Sequence, residues 1–192
     1  TSVVSAGCSD VSASDLQSYG REPMTPSRFI ATLVGCGLSP RAPVTVGSFA
    51  ALVLGIPMLK RPRLLAFSAV AASVVGWWAA NRAGDGEDHS WIVIDEVAGM
   101  WLALLGCLPA DEKEAAAQPA EASPASGHAW FLPLLAFGLF RLFDITKPGP
   151  VGTLDRRHDA VGIMGDDIVA GVMAAACVKA FRALPYLRTV RK

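Results

Sequence analysis

Charge is scarce in this chain. Only 18% of the 192 residues are charged, where an ordinary soluble domain carries about 25%. Hydrophobic residues make up 52%, and the mean hydropathy is +0.40. That balance points to a protein that faces lipid. The 17 basic and 17 acidic residues cancel, so no global field recruits nucleic acid. The cysteines Cys8, Cys36, Cys107 and Cys177 are far apart and form no CxxC. They read as small apolar fillers, not as zinc ligands or a disulfide framework. Period-2 alternation is also rare, which leaves an all-α chain as the expectation. Residues 1–26 have no apolar core and so are no secretory signal; they read as a disordered tail.

What is present is a series of long apolar runs. Residues 42–59 carry no charge and are framed by Pro43 and Pro57, which predicts a helix of about a dozen residues. Residues 64–81 are also uncharged and would reach about 27 Å as a helix, close to a bilayer's hydrocarbon thickness. Lys60, Arg61 and Arg63 precede that run, and Arg82 follows it beside Trp77 and Trp78, the usual furniture of a membrane boundary. The run WIVIDEVAGMWLALLGCL is expected to be a re-entrant or spanning helix. Residues 109–127 are low in complexity and predict a flexible insert. The apolar pattern resumes over 129–143 and stops at Pro148 and Pro150. A polar connection is expected over 151–165, then a last helix from about Gly165 or Asp166. The whole is expected to be a single-domain, multihelical integral membrane protein over 27–184, with a basic tail at 185–192 and three or four crossings. The positive-inside rule puts that tail in the cytoplasm.

The acids are the informative residues. Asp95-Glu96, Asp144 and Asp166-Asp167 all run straight into hydrocarbon. A carboxylate in such company must be paired, protonated or bound to a cation. Adjacent acids on a helix diverge by about 100°, so only one of each pair can point straight into a shared site. Gly99 lies one turn beyond Asp95 and Gly171 one turn beyond Asp167. Small residues there let two helices pack tightly while their carboxylates converge. Oxygen ligands select a hard cation, Mg²⁺ or Mn²⁺, over zinc. Arg141, Asp144 and Lys147 are spaced three apart, which predicts one helical face offering a guanidinium fork and an ammonium to an anion; Phe140 and Phe143 are expected on the other side. Asp155, Arg156 and Arg157 add an acid and two cations. The segment Gly35–Ser48 crowds glycine, proline and hydroxyls before an apolar helix, a loop able to offer N–H groups and hydroxyls to phosphate. No GKS or GKT follows, so it is no Walker A loop.

Three stretches in order, GLSPRAPVTVGS, IVIDEVAGMW and FRLFDITKPGPVGTLDRR with GIMGDDIVAG, resemble the bacterial phosphatidylglycerophosphatase A family over about residues 28–182. The resemblance implies an all-helical enzyme of the bacterial cytoplasmic (inner) membrane. It would remove the terminal phosphate of phosphatidylglycerophosphate, giving phosphatidylglycerol, and would need Mg²⁺. The matching acids are Asp95, Glu96, Asp144, Asp155, Asp166 and Asp167, and the matching basic and hydroxyl positions include Ser39, Thr45, Ser48, Arg141 and Lys147. Two departures stand out: Val44 where the family has Gly, and Gly149 where it has an aromatic between two prolines.

Together these readings predict metal-assisted hydrolysis of a phosphate monoester. Asp95, Glu96, Asp166 and Asp167 would hold Mg²⁺. Asp144 or Asp155 would be general base or further ligand, and Lys147 would act beside them. Ser39, Arg41, Thr45, Ser48, Arg141 and Arg156 would bind substrate, with the site on the cytoplasmic side of the bilayer. Other phosphatase signatures are missing: Cys36 and Arg41 are separated by four residues rather than five, and Asp144 is followed by Ile-Thr-Lys rather than a DxDx[TV] pattern. The competing expectation is a non-enzymatic membrane protein whose acids form an ion or proton pathway. The oligomeric state stays open at this level.

Overall fold

The computed structural model describes residues 25–39, 42–83, 91–109, 130–157 and 159–183. Residues 1–24 of the expected N-terminal tail, the basic C-terminal tail, nearly all of the low-complexity insert, and Arg41 lie outside them, while Thr25 and Pro26, expected in the tail, cap and open the first helix. Every regular element among the described residues is helical: α1 (Pro26–Ala31), α2 (Pro43–Gly55), α3 (Pro62–Ala83), α4 (Ile94–Leu105), α5 (Phe131–Thr146), α6 (Pro150–Asp155) and α7 (Ala160–Ala183). Four of these helices begin with proline, which loses nothing in the first turn because the N–H there has no partner within the helix. Short 3₁₀ turns, Cys36–Leu38 and Ile56–Lys60, flank α2.

The short helix α4 is the hub. It packs on α7, α3, α2 and α5, and Val97, Ala98, Met100, Ala103 and Leu104 are all within 1% of complete burial. The α4–α7 contact is the closest. A Cβ on Gly99 would stand 2.6 Å from the Asp167 carbonyl and 2.6 Å from the Phe140 ring, and one on Gly171 would collide with the Gly99 carbonyl. The two glycines therefore face each other across the seam, as their spacing after the acids led us to expect. Phe140, expected to face away from the ionic residues, is fully buried in this seam. Arg141 is its neighbour in sequence, and the buried face of α5 is wide enough to take both.

Helix directions follow from pairs of contacts. Gly47 meets Val93 and Gly55 meets Leu104, so α2 runs parallel to α4. Gly99 meets Asp167 while Gly106 meets Ala175, so α7 runs parallel to α4 as well. Gly76 of α3 lies against Ile94 and Met164, and Arg141 near the end of α5 reaches Glu96 near the start of α4. Helices α3 and α5 thus run the other way. The starts of α2, α4 and α7 and the ends of α3 and α5 gather at one end of the bundle. The Val93 N–H donates to the Ala31 carbonyl at 2.9 Å, so α1 joins that end too.

Three helical segments are long and apolar enough to cross a membrane: Pro43–Lys60, Pro62–Arg82 and Ala160–Arg182. The outer faces support that role. Phe67, Val70, Val74 and Trp77, at helical spacing on α3, are 72%, 61%, 62% and 46% exposed, more apolar surface than water tolerates and ordinary against lipid.

The last helix departs from expectation. It starts at Ala160, not near Gly165. The Asp159 carboxylate accepts from the Gly162 N–H at 2.8 Å and caps the helix earlier. Asp166 and Asp167 are consequently the seventh and eighth residues of α7, beyond the first turn where the helix dipole acts. The expected polar connection over 151–165 likewise contains α6.

The 24 residues of α7 span about 36 Å, more than the roughly 30 Å of bilayer hydrocarbon. The acids lie near its start and Arg182 at its end. A crossing α7 would put the acidic site and Arg182 on opposite sides of the membrane. In a cysteine-free background, Thr153→Cys on α6 and Lys60→Cys on the turn after α2 should be labelled from opposite sides of sealed vesicles by an impermeant maleimide. Labelling of both from one side would contradict this arrangement.

Candidate active site

In each acidic pair the first member turns back on its own backbone and the second enters the centre. The Glu96 N–H donates to Asp95 Oδ1 at 2.9 Å, and the Asp167 N–H donates to Asp166 Oδ1 at 2.9 Å. Glu96 and Asp167 are 3% and 4% exposed. Asp144 joins them from the end of α5: one carboxylate oxygen from each of Glu96, Asp144 and Asp167 lies within 4.8 Å of the others.

Like charges about 4 Å apart repel by about 4 kcal/mol even at an effective dielectric of 20. The chain supplies one direct remedy. The Arg141 guanidinium lies 2.7 Å from Glu96 Oε1 and 2.7 Å from Asp144 Oδ2. Its Nη1 also donates to Ser48 Oγ at 3.2 Å. Ser48 Oγ in turn stands 2.5 Å from Glu96 Oε2 and 2.8 Å from the Val44 carbonyl, and its single proton serves one of them at a time. Three carboxylates against one guanidinium leave a formal charge of −2 when all are ionised, which one divalent cation would neutralise. The all-oxygen donor set suits a hard cation.

A second ionic group lies beside the first. Lys147 Nζ donates to Asp166 Oδ2 at 2.9 Å and also bonds Asp155 Oδ1. Burial pulls the Lys147 pKa down, but the hydrogen bonds it donates to the Asp155 and Asp166 carboxylates outweigh it and hold the ammonium above its ordinary value. Lys147 stays charged. Its backbone is left-handed, φ +45° and ψ +54°, directly after α5.

Of the other expected residues, three have these surroundings. Thr45 is exposed. Ser39 is half-buried, with its N–H on the Cys36 carbonyl at 3.2 Å. Arg156 is exposed and donates to Thr153 Oγ1 at 3.3 Å. Arg157 pairs with Asp159 at 3.0 Å on the surface. Among the described cysteines only Cys107 is a core filler: burial pushes its thiol up to about 12, against the opposing pull of Arg182. Cys36 is half-buried and Cys177 exposed. Two residues outside the expected set also shape this end. Arg28 is 5% exposed and lies over the Trp91 ring at 5.3 Å, bracing the segment that leads into Asp95.

The sequence profile of the phosphatidylglycerophosphatase A family matches residues 29–182. The chain belongs to the phosphatidylglycerophosphatase A family. It is by that membership a phosphatase, and the matched stretch contains every ionic residue of the two clusters. It is 33% identical over 155 residues to a phosphatidylglycerophosphatase A of Escherichia coli K12, covering 78% of this chain and 80% of that protein. A Haemophilus influenzae protein of the same name is 31% identical over 165 residues, 83% of this chain and 90% of its own length. A Bacteroides thetaiotaomicron protein, provisionally named a phosphatidylinositol-3-phosphatase, is 37% identical over 154 residues, 74% of this chain and 85% of its own length. No solved structure is significantly similar.

Removing Arg141 would leave the three carboxylates facing one another. Breaking a buried pair from one side costs about 3–5 kcal/mol. Arg141→Gln should therefore lower the melting temperature of detergent-solubilised protein in a chelator, and added Mg²⁺ should recover much of the loss. A variant as stable as the parent in chelator would contradict this account of the cluster.

Proposed function

We propose that this protein hydrolyses the terminal phosphate of phosphatidylglycerophosphate at the membrane surface, releasing phosphatidylglycerol and inorganic phosphate. Water adds its oxygen to phosphorus, the phosphorus–oxygen bond to glycerol breaks, and the glycerol oxygen takes up a proton. The observation that carries the reading is the meeting, at one end of an apolar bundle, of a three-carboxylate cluster with two fixed cations. Family membership and the names of the Escherichia coli and Haemophilus influenzae relatives support the substrate.

Glu96, Asp144 and Asp167 would hold Mg²⁺. This differs from the set expected from sequence, since Asp166 engages Lys147 and Asp95 accepts from the Glu96 N–H. A bound Mg²⁺ would neutralise phosphate oxygens as charge develops on them. Arg141 would offer its remaining N–H groups to the phosphate, braced by Glu96 and Asp144, and Lys147 would supply a second positive charge from the facing side. Ser48 would keep Glu96 and Arg141 in register across α2, α4 and α5. We place the protein in the bacterial inner membrane, with this end of the bundle in the cytoplasm where newly made lipid phosphates arise. An ion or proton pathway is disfavoured because cation transport has no use for two anchored cations beside the acids.

The name of the Bacteroides thetaiotaomicron relative supports a second substrate, phosphatidylinositol 3-phosphate. Phosphate release by purified protein from both lipids, with Mg²⁺ and with chelator, distinguishes them. We expect Mg²⁺-dependent release that is faster from phosphatidylglycerophosphate, and a loss of at least about a hundredfold in Asp167→Asn and Glu96→Gln with membrane insertion intact. Release undiminished by chelator, or near-normal rates in both variants, would remove the metal assignment.

A further inference from the structure

Seven carboxylates of the described residues lie at this end of the bundle, and the geometry divides them: Asp159 caps α7 and pairs with Arg157, away from the rest. Glu96, Asp144 and Asp167 face one another. Asp155 does not join them. It ends the six-residue helix α6, and its Oδ1 is bonded to the Lys147 ammonium. We propose that Asp155 is a positioning residue that acts through Lys147, neither general base nor metal ligand. The inference rests on the phosphatase reading above and concerns the division of labour within that site.

Lysine is a flexible side chain, and a free ammonium on four methylenes would wander. Three features hold this one. Its backbone occupies the left-handed region, φ +45°, where a non-glycine residue persists only if its surroundings fix it. Gly149, at φ +51°, then turns the chain into α6. A Cβ on Gly152 would stand 2.6 Å from the Lys147 carbonyl, so glycine there lets α6 fold directly back on the lysine. This return brings Asp155 onto the ammonium from one side while Asp166 of α7 holds it from the other at 2.9 Å. The lysine side chain is 32% exposed and that of Asp155 39%, whereas Asp166 is at 10%. The ammonium therefore sits at the boundary between the buried acids and the solvent, where an incoming phosphate would first meet it. The bond from α6 removes conformational freedom that Lys147 would otherwise lose only when substrate binds. Misplacing a group by about 1 Å can cost about a hundredfold in rate, which sets the scale for losing this anchor.

A double-mutant cycle with a conservative variant tests the proposal on full-length enzyme whose wild-type form releases phosphate. Asp155→Ala should lower kcat about a hundredfold with little change in KM. Asp155→Asn keeps a carbonyl oxygen that accepts from the ammonium and should stay within about tenfold of wild type, although an amide cannot take a proton as a base would. Lys147→Ala combined with Asp155→Ala should be no slower than Lys147→Ala alone, because the second residue acts only through the first. An Asn variant as slow as the Ala variant, or losses that multiply in the double variant, would overturn it. If Asp155→Ala fails to insert in membrane, the cycle runs with Asp155→Asn, and multiplying losses there would overturn the proposal equally. Wild-type protein that releases no phosphate from any lipid would instead overturn the phosphatase reading, so the two failures are distinct.

Discussion

Three carboxylates held within 4.8 Å of one another at the junction of α4, α5 and α7 are the constraint to which the rest of the structure answers. Their mutual repulsion is large on the scale of a protein's net stability, which is about 5–15 kcal/mol. It is tolerated because the surrounding helices cannot easily part. Gly99 and Gly171 bring α4 and α7 into backbone contact, Phe140 closes the seam from α5, and Trp101 Nε1 ties α4 to the Ala51 carbonyl of α2 at 3.0 Å. Packing forces the charges together, and Arg141 with a divalent cation would make the arrangement sustainable. A bundle that relaxed by about 2 Å would lose the site before it lost its helices.

The same end of the bundle also explains how a lipid substrate and water could meet. The outer faces of α2 and α3 carry large apolar side chains outward, among them Phe49, Val53, Phe67 and Val70. The ionic residues lie where α2, α4 and α7 begin. A headgroup could approach from the interface while its acyl chains stay beside α2 or α3. The two cations belong to different clusters: Arg141 sits among the buried acids at 14% exposure, and Lys147 is at the rim. One would engage phosphate deep in the site and the other on arrival.

Much of this was legible in the chain itself, for physical reasons that can be named. Acids embedded in apolar runs mark themselves, because nothing else justifies their desolvation. The Gly99 and Gly171 spacing announced a close seam, and adjacent acids could not both point inward. What local pattern could not supply was long-range direction. Asp144 meets Glu96 and Asp167 only because α5 returns antiparallel to α4, a fact carried by contacts 45 residues apart in sequence. Asp166 accepts from Lys147, a pairing between residues 19 apart in sequence that local pattern does not show. Pro150 was read as a stop for the preceding helix, yet it opens α6, and the charged LDRRHD run reads as loop although Asp159 within it caps α7. The length of α7 likewise separates the acids from Arg182 at its far end, a distance that counting charges does not register.

The central claim is that carboxylates from three separate helices hold one divalent cation. Crystals grown in lipidic phase with Mn²⁺ in place of Mg²⁺ would test it most directly through the anomalous signal of manganese. The account predicts a peak between Glu96, Asp144 and Asp167 that vanishes in Asp167→Asn crystals. Manganese bound elsewhere, with those three side chains engaged only by protein groups, would contradict it.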